Sequence, residues 1–156
     1  MYKFLFLILL ITACKTIPAT TTGNPSEEEG VKKVINQLFD AMREGNGEKV
    51  SQCFMPDATL QSISVNKEGM SKLSGGVTVQ QFADAVNSPH DEIWDERLSS
   101  IEIRIDGNMA TAWTPYQFYR GKEFSHCGVN AFQLFKSDKG WKIFHIADTR
   151  RKTDCL

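Results

Sequence analysis

Residues 123–150 read EFSHCGVNAFQLFKSDKGWKIFHIADTR. Two runs rich in aromatic and β-branched residues flank Ser137-Asp138-Lys139-Gly140. Such runs suit a pleated, half-buried surface, and a short Asp/Gly connection between them marks a β-hairpin. With these four residues as the loop, Lys136 faces Trp141, Gln133 faces Phe144, Val129 faces Asp148 and Cys127 faces Arg150. Alternation along each strand sorts the residues onto two faces. One carries Cys127, Val129, Ala131, Gln133, Phe144, Ile146, Asp148 and Arg150. The other carries His126, Asn130, Phe132, Leu134, Trp141, Ile143 and His145. Both faces are apolar at their centres, so both call for cover: helices on one side, another structure such as a second subunit on the other.

Around this hairpin the 156-residue chain offers enough residues for one domain with a substantial core. Its apolar and charged fractions are those of an ordinary globular protein. The formal net charge of −1 gives no general case for nucleic acid or an anionic membrane surface as a partner. The basic cluster Arg150-Arg151-Lys152 reads as a solvated strand end.

The N-terminus has a different character. Lys3 precedes an apolar run, residues 4–11, that is far shorter than the roughly 20 residues of a spanning helix. Leu10-Ile11-Thr12-Ala13-Cys14 follows and resembles a bacterial lipobox. The resemblance implies a lipoprotein signal peptide over residues 1–13, cleavage before Cys14, and diacylglycerol on its thiol. The alternative is an ordinary secretory signal that contains a cysteine. Residues 14–26, rich in Thr, Pro and Gly, read as a flexible tether, and residues 27–156 as the domain. The expected location is the bacterial cell envelope, membrane-anchored and facing the periplasm. With Cys14 lipidated, Cys53, Cys127 and Cys155 remain, and three cannot all pair within one chain. Cys53 and Cys127 read as buried free thiols; a Cys127–Cys155 bridge requires the tail to fold back. No Cys/His spacing matches a metal site, and no cofactor is expected.

In chain order, Ser26 and Glu29 form a capping-box pattern. Val31, Val34, Ile35, Leu38, Phe39 and Met42 then recur at helical spacing, and Gly45-Asn46-Gly47 stops the helix. A short helix over residues 48–54 carries Val50, Cys53 and Phe54 inward. Residues 58–65 alternate like a strand, and residues 66–76 read as a loop. Thr78 and Gln81 open a third helix through Val86, whose apolar positions are Val79, Phe82, Ala83 and Val86. Beyond Trp94 the period changes to two. One strand is expected over residues 98–105, a turn at Asp106-Gly107-Asn108, a strand over residues 109–119, and a turn at Arg120-Gly121-Lys122 into the hairpin. Helices followed by a run of antiparallel strands define an α+β class.

Phe54-x-Pro56-Asp57-Ala58, Gly107-x-x-Ala110-x-Ala112-Trp113, and the run from Phe135 through Gly140-Trp141-Lys142-Ile143 occur in this order and spacing. On these residues the chain resembles the nuclear transport factor two-like (SnoaL-like) superfamily over residues 27–151. The resemblance implies a cone: a strongly bent antiparallel sheet wrapped around N-terminal helices, a cystatin-like roll whose concave face lines a pocket. More narrowly, His126-Cys127-Gly128-Val129 and Asp148-Thr149-Arg150-Arg151 are similar to a group of small bacterial proteins without an established activity. Placing Trp141 and Ile143 on the family pattern turns Phe144, Ile146, Asp148 and Arg150 inward, with Cys127, Val129, Ala131 and Gln133 beside them. A tight turn at Gly121-Lys122 pairs Tyr116 with Cys127 and Thr114 with Val129. The expected ligand pocket is therefore Thr114, Tyr116, Cys127, Gln133, Phe144, Asp148 and Arg150. An apolar cavity with a few convergent polar groups is the ordinary form of a small-molecule site. Asp148 and Arg150, two apart on one face, either read a ligand or close on each other and Tyr116 as a structural cap. His126 and His145 fall on the convex face, far apart. Phe132, Trp141 and Ile143 on that face fit the superfamily's habit of dimerising through its sheet.

The expected function is a lipid-anchored, non-catalytic domain that binds a small apolar or amphipathic ligand and forms a homodimer. Two alternatives stand beside it: an isomerase, cyclase or dehydratase using the pocket, or a protein-interaction module using the convex face. Ketosteroid-isomerase-like relatives place an acid on the pocket face of the strand matching residues 124–136. The face assigned here offers Cys127, Val129, Ala131 and Gln133 instead, which weakens the isomerase alternative. Asp148 with Tyr116 is the candidate proton-transfer pair, although Arg150 alongside holds the acid ionised.

Overall fold

Helix α1 (Pro25–Arg43) shows how local signals seat the first element. Asn24 is the N-cap and accepts the Ser26 amide, Pro25 supplies the first-turn proline, and Glu27 and Glu28 face the positive helix end. The helix thus begins ahead of the expected Ser26 box, and Glu29 instead pairs with Lys32 on the surface. All six apolar positions of the helical stripe are buried. Fully burying a side chain of this kind contributes ~1.5–3 kcal/mol. The structure is a computed structural model and describes residues 24–155; the expected signal peptide, most of the expected tether and Cys14 lie outside the described residues.

Helix α2 (Gly47–Gln52) and helix α3 (Val79–Asn87) follow, with strand β1 (Phe54–Val65), β2 (Ser71–Leu73) and β3 (Val77–Thr78) between them. The Thr78–Gln81 capping box closes in both directions. The expected single strand over residues 98–105 is two strands, β4 (Trp94–Leu98) and β5 (Glu102–Asp106), separated at residues 99–101. Both pair with β6 (Met109–Arg120), one at each end of it, so the break lets the sheet bend. Strands β7 (Glu123–Ser137) and β8 (Gly140–Arg150) complete the fold. The strand order is β2-β1-β8-β7-β6-β4, with β3 on β1 and β5 on β6. The β1–β8 pair is parallel, so the sheet is mixed rather than wholly antiparallel. The class is α+β: N-terminal helices against a strongly curved, unclosed sheet.

The hairpin turn is as expected, with Lys136 opposite Trp141. Two one-residue irregularities then overturn the face assignment of β7. Between β7 and β8, Leu134 pairs with Ile143 but Gln133 pairs with His145, so Phe144 bulges out. Between β6 and β7, Arg120 pairs with Glu123 but Phe118 pairs with His126, so Ser125 bulges out. A one-residue slip moves every later side chain to the opposite face. Asn130 therefore sits opposite Asp148 and Thr114, and Tyr116 sits opposite Gly128. Phe132, Trp141 and Ile143 lie beneath α1 and not on a convex interface. Phe132 is 1% exposed and meets Phe39 edge-on, and Trp141 donates its indole N–H to Glu27. Gly30 permits that seat, because a Cβ there would lie 2.9 Å from the Trp141 ring.

The displaced residues reach the outer face. Gln133 is exposed, and Phe144 borders a shallow groove with Met55, Asp57 and Phe135. Cys127 is not a free thiol: it is bonded to Cys155, and the returning tail also forms a backbone bridge between Cys127 and Arg151. Cys53 is buried and free, and burial pushes its thiol up to about 11, leaving it protonated and inert at neutral pH. Among the described residues no helix is long and apolar enough to cross a membrane.

Candidate functional site

The concave face and the helices enclose a cavity of about 240 Å³. Its apolar wall is Leu38, Phe39 and Met42 from α1, Phe118 from β6, Phe132 from β7, Ile146 from β8 and Trp94 from β4. Its polar end gathers Ser62, Glu96, Tyr116, Arg120, His126, Asn130, Asp148 and Arg150. Of the expected site residues, Tyr116, Asp148 and Arg150 share this cavity. Thr114 lies just behind it, fully buried, against Asn130. Cys127, Gln133 and Phe144 are outside it, for the bulge reasons given above. Asp57 is outside it as well.

Asp148 faces donors from three side chains. Its Oδ1 accepts the Ser62 hydroxyl at 2.5 Å. Its Oδ2 accepts Arg150 Nε at 2.8 Å and faces the Tyr116 hydroxyl at 3.1 Å. The Tyr116 hydroxyl also lies 3.0 Å from the Thr149 carbonyl, so its single proton serves one acceptor at a time. Burial, with the nearby Asp148 and Glu96 charges, pushes the Tyr116 phenol far up. Tyr116 is therefore a donor that stays protonated, and Asp148 links it to Ser62 and Arg150. Arg150 is held charged: burial works against it, but the Asp148 bond and the charges around it more than offset that cost. Only its Nε is engaged, and its two terminal nitrogens have no protein partner among the described residues. Its side chain is 52% exposed, so the guanidinium stands at the mouth.

Gly128 makes the close packing here possible. A Cβ there would lie 1.7 Å from the Thr149 carbonyl oxygen and 3.0 Å from the Tyr116 ring. The two short motifs His126-Cys127-Gly128-Val129 and Asp148-Thr149-Arg150-Arg151 are thus one structural unit. They are joined by the Cys127–Arg151 bridge and by the Val129 amide, which donates to Thr149 Oγ1.

Five polar groups at the site, Ser62, Glu96, Arg120, His126 and Asn130, were not among the expected residues. Glu96 projects from β4 and accepts the Asn130 amide at 2.7 Å through Oε1. Burial, and then the Asp148 charge, push its carboxyl up to about 7 against the opposing help of Asn130 and Arg150. Asn130 is buried and also reaches Thr114 Oγ1 at 3.4 Å. His126 packs against Tyr116 and Phe118, and burial together with the Arg150 charge lowers its pKa, so it is neutral at pH 7. The sequence did carry a signal for Glu96: it shares strand parity with Trp94 and Leu98, which marks an acid on an apolar face. His145, expected on the same convex face as His126 but far from it, is instead on the opposite face and contacts Thr59. Among the described residues no three His, Cys, Asp or Glu side chains cluster as metal ligands.

A cone of this kind, with helices closing a bent sheet over an apolar cavity, is the nuclear transport factor two-like, cystatin-like fold. Solved structures share the fold. An NTF2-like protein with a cystatin-like fold from Novosphingobium aromaticivorans matches at TM-score 0.65 and 12% identity, over 80% of this chain and 82% of that one. An NTF2-like protein of unknown function from Methylobacillus flagellatus matches at 0.58 and 22% identity, over 84% and 97%. A Streptomyces avermitilis protein described as a "putative dehydratase" of the NTF2-like family matches at 0.61 and 13% identity, over 82% and 98%. No curated protein matches the sequence. The chain belongs to the family described as "putative lumazine-binding", whose model matches residues 26–146.

Proposed function

We propose that this chain is a lipid-anchored, non-catalytic domain that holds a small amphipathic ligand in the cavity between α1 and the concave sheet face. The observation that carries this reading is the division of the cavity: aromatic and aliphatic walls at one end, convergent donors and acceptors at the other. The family's description points the same way, since lumazine is a flat, two-ring dione with polar edges. Arg150 serves as the group that reads an anionic or carbonyl oxygen, because its terminal nitrogens are the unpaired end of a rigid fork of donors. The Cys127–Cys155 bridge supports an extracytoplasmic, oxidising location, in keeping with a lipid on Cys14. A homodimer would use the outer sheet face around Trp113, which is 51% exposed, with Met109 and Phe135.

The test is to purify the full chain from its own host, release and identify any bound small molecule, and rebind it to the apo protein. Arg150→Met should weaken rebinding by about tenfold or more, the scale of a lost hydrogen bond to a charged group, while the thermal midpoint changes little. Normal rebinding, or outright unfolding of the variant, would make the Arg150–Asp148–Tyr116 group a structural cap.

A specific observation favours one competing reading. Glu96 is a carboxyl in an apolar cavity with its pKa near neutrality, the condition of a general acid or base. An isomerase- or dehydratase-type enzyme would use Glu96 to move a proton, rather than Asp148, which already faces Ser62, Arg150 and Tyr116.

A further inference from the structure

Glu96 and Arg150 are polar groups on facing strands of the cavity lining that keep hydrogen-bonding capacity, as Arg120 and His126 do further along it. The Asn130 amide is used on both sides, giving protons to Glu96 Oε1 at 2.7 Å and to Thr114 Oγ1 at 3.4 Å. This fixes the carboxyl of Glu96, whose Oε2 has no protein partner among the described residues. Arg150 gives Nε to Asp148 and keeps its terminal nitrogens free. One cavity therefore presents an acceptor from β4 and donors from β8.

We propose that the cavity selects a neutral cyclic amide: a planar lactam or imide whose ring N–H donates to Glu96 Oε2 while the adjacent carbonyl accepts from Arg150. This deepens the binding function proposed above and rests on it. An –NH–CO– edge is a donor beside an acceptor, matching that pair, and carries no net charge. Charged ligands fit less well. The groups facing Glu96 are Asp148 and Arg150 from β8, His126 and Asn130 from β7, Tyr116 and Arg120 from β6, and Arg43 of α1, which donates to its backbone oxygen. An anion meets Glu96 and Asp148; a cation meets Arg150 and Arg120. The flat body finds aromatic walls in Trp94 and Phe118, whose rings meet edge-on at 6.4 Å. Donation of an N–H stabilises the carboxylate form, so binding releases the proton that the cavity otherwise favours on Glu96 and strengthens as pH rises through neutrality.

The experiment compares two probes on the full chain by calorimetry, 2-quinolinone and 1-methyl-2-quinolinone, which differ only in the ring N–H. At about pH 8 the parent should bind roughly tenfold tighter than the methylated probe, since a hydrogen bond to a charged group is of that order. The advantage should shrink at about pH 6. In Glu96→Gln the side-chain oxygen takes the Asn130 proton and turns its NH2 to the cavity, so the advantage should vanish at both pH values. Equal binding of the two probes, or an advantage that survives Glu96→Gln, overturns the proposal. Failure of both probes to bind also overturns it, while the broader binding function is judged separately by the host-derived ligand.

Discussion

Replacing Glu96 with Gln should stabilise the protein, and only at high pH. In the fold the Glu96 carboxyl is raised from 4.5 to about 7, mainly by burial. A carboxyl raised in this way favours the protonated state in the fold. Its favourable contribution is complete below about pH 4.5, is lost as pH rises through 7, and is absent above that. A shift of this size corresponds to roughly 3 kcal/mol at about 1.4 kcal/mol per unit, an upper value because water entering the cavity relaxes the site. Gln keeps the shape and the Asn130 contact without the charge. The assay is urea unfolding of wild type and variant at about pH 5 and pH 8, read as the difference between the two proteins so that all other titrations cancel. Near-equal stability at the lower pH and a gain of about 1–3 kcal/mol at the higher is the expected result. A variant that is no more stable than wild type at the higher pH would refute the placement of Glu96 as a desolvated acid.

Four further perturbations test other parts of the account. Gly128→Ala should cost about 3 kcal/mol or more in thermal or chemical unfolding, because its Cβ would overlap the Thr149 carbonyl oxygen and crowd Tyr116. Cys127→Ser with Cys155→Ser should lower stability by about 3–4 kcal/mol, from the 28-residue separation that the bridge closes; thiol counting on the unfolded chain checks that the bridge exists. Phe132→Asp should unfold the domain, since Phe132 is core, whereas Trp113→Asp should leave it folded and, if the proposed dimer forms through this face, sediment as a monomer where the wild type does not.

The parts of this fold that were legible in sequence are those with a local period or a local turn. The stripe from Val31 to Met42, the Thr78–Gln81 box, and the turns at Gly107, Gly121 and Gly140 all follow from residue spacing and short-range chemistry. The alternation that put Thr114 and Tyr116 on the pocket side of β6, and Asp148 and Arg150 on that of β8, survives in the structure. Strand β7 between them does not, because its parity depends on bulges at Ser125 and Phe144 that each cost one residue and leave no compositional mark. That single fact explains why Cys127 and Gln133 were assigned to the pocket in place of His126 and Asn130. It also explains why Phe132 was assigned to an interface. The helix starts at Pro25 with Asn24 as its cap, ahead of the Ser26–Glu29 pattern, because a capping signature places a helix end only to within a residue or two. The parallel β1–β8 pair joins strands far apart in sequence, and no local rule reaches it.

The central claim is that the cone interior is a ligand site. Native mass spectrometry of host-purified full chain beside Leu60→Trp, which puts a large ring into the cavity wall, addresses it most directly. The account predicts a small-molecule mass on the wild type that disappears in the folded variant. A wild-type mass equal to that of the processed polypeptide alone, or a bound species that persists unchanged in Leu60→Trp, would contradict it.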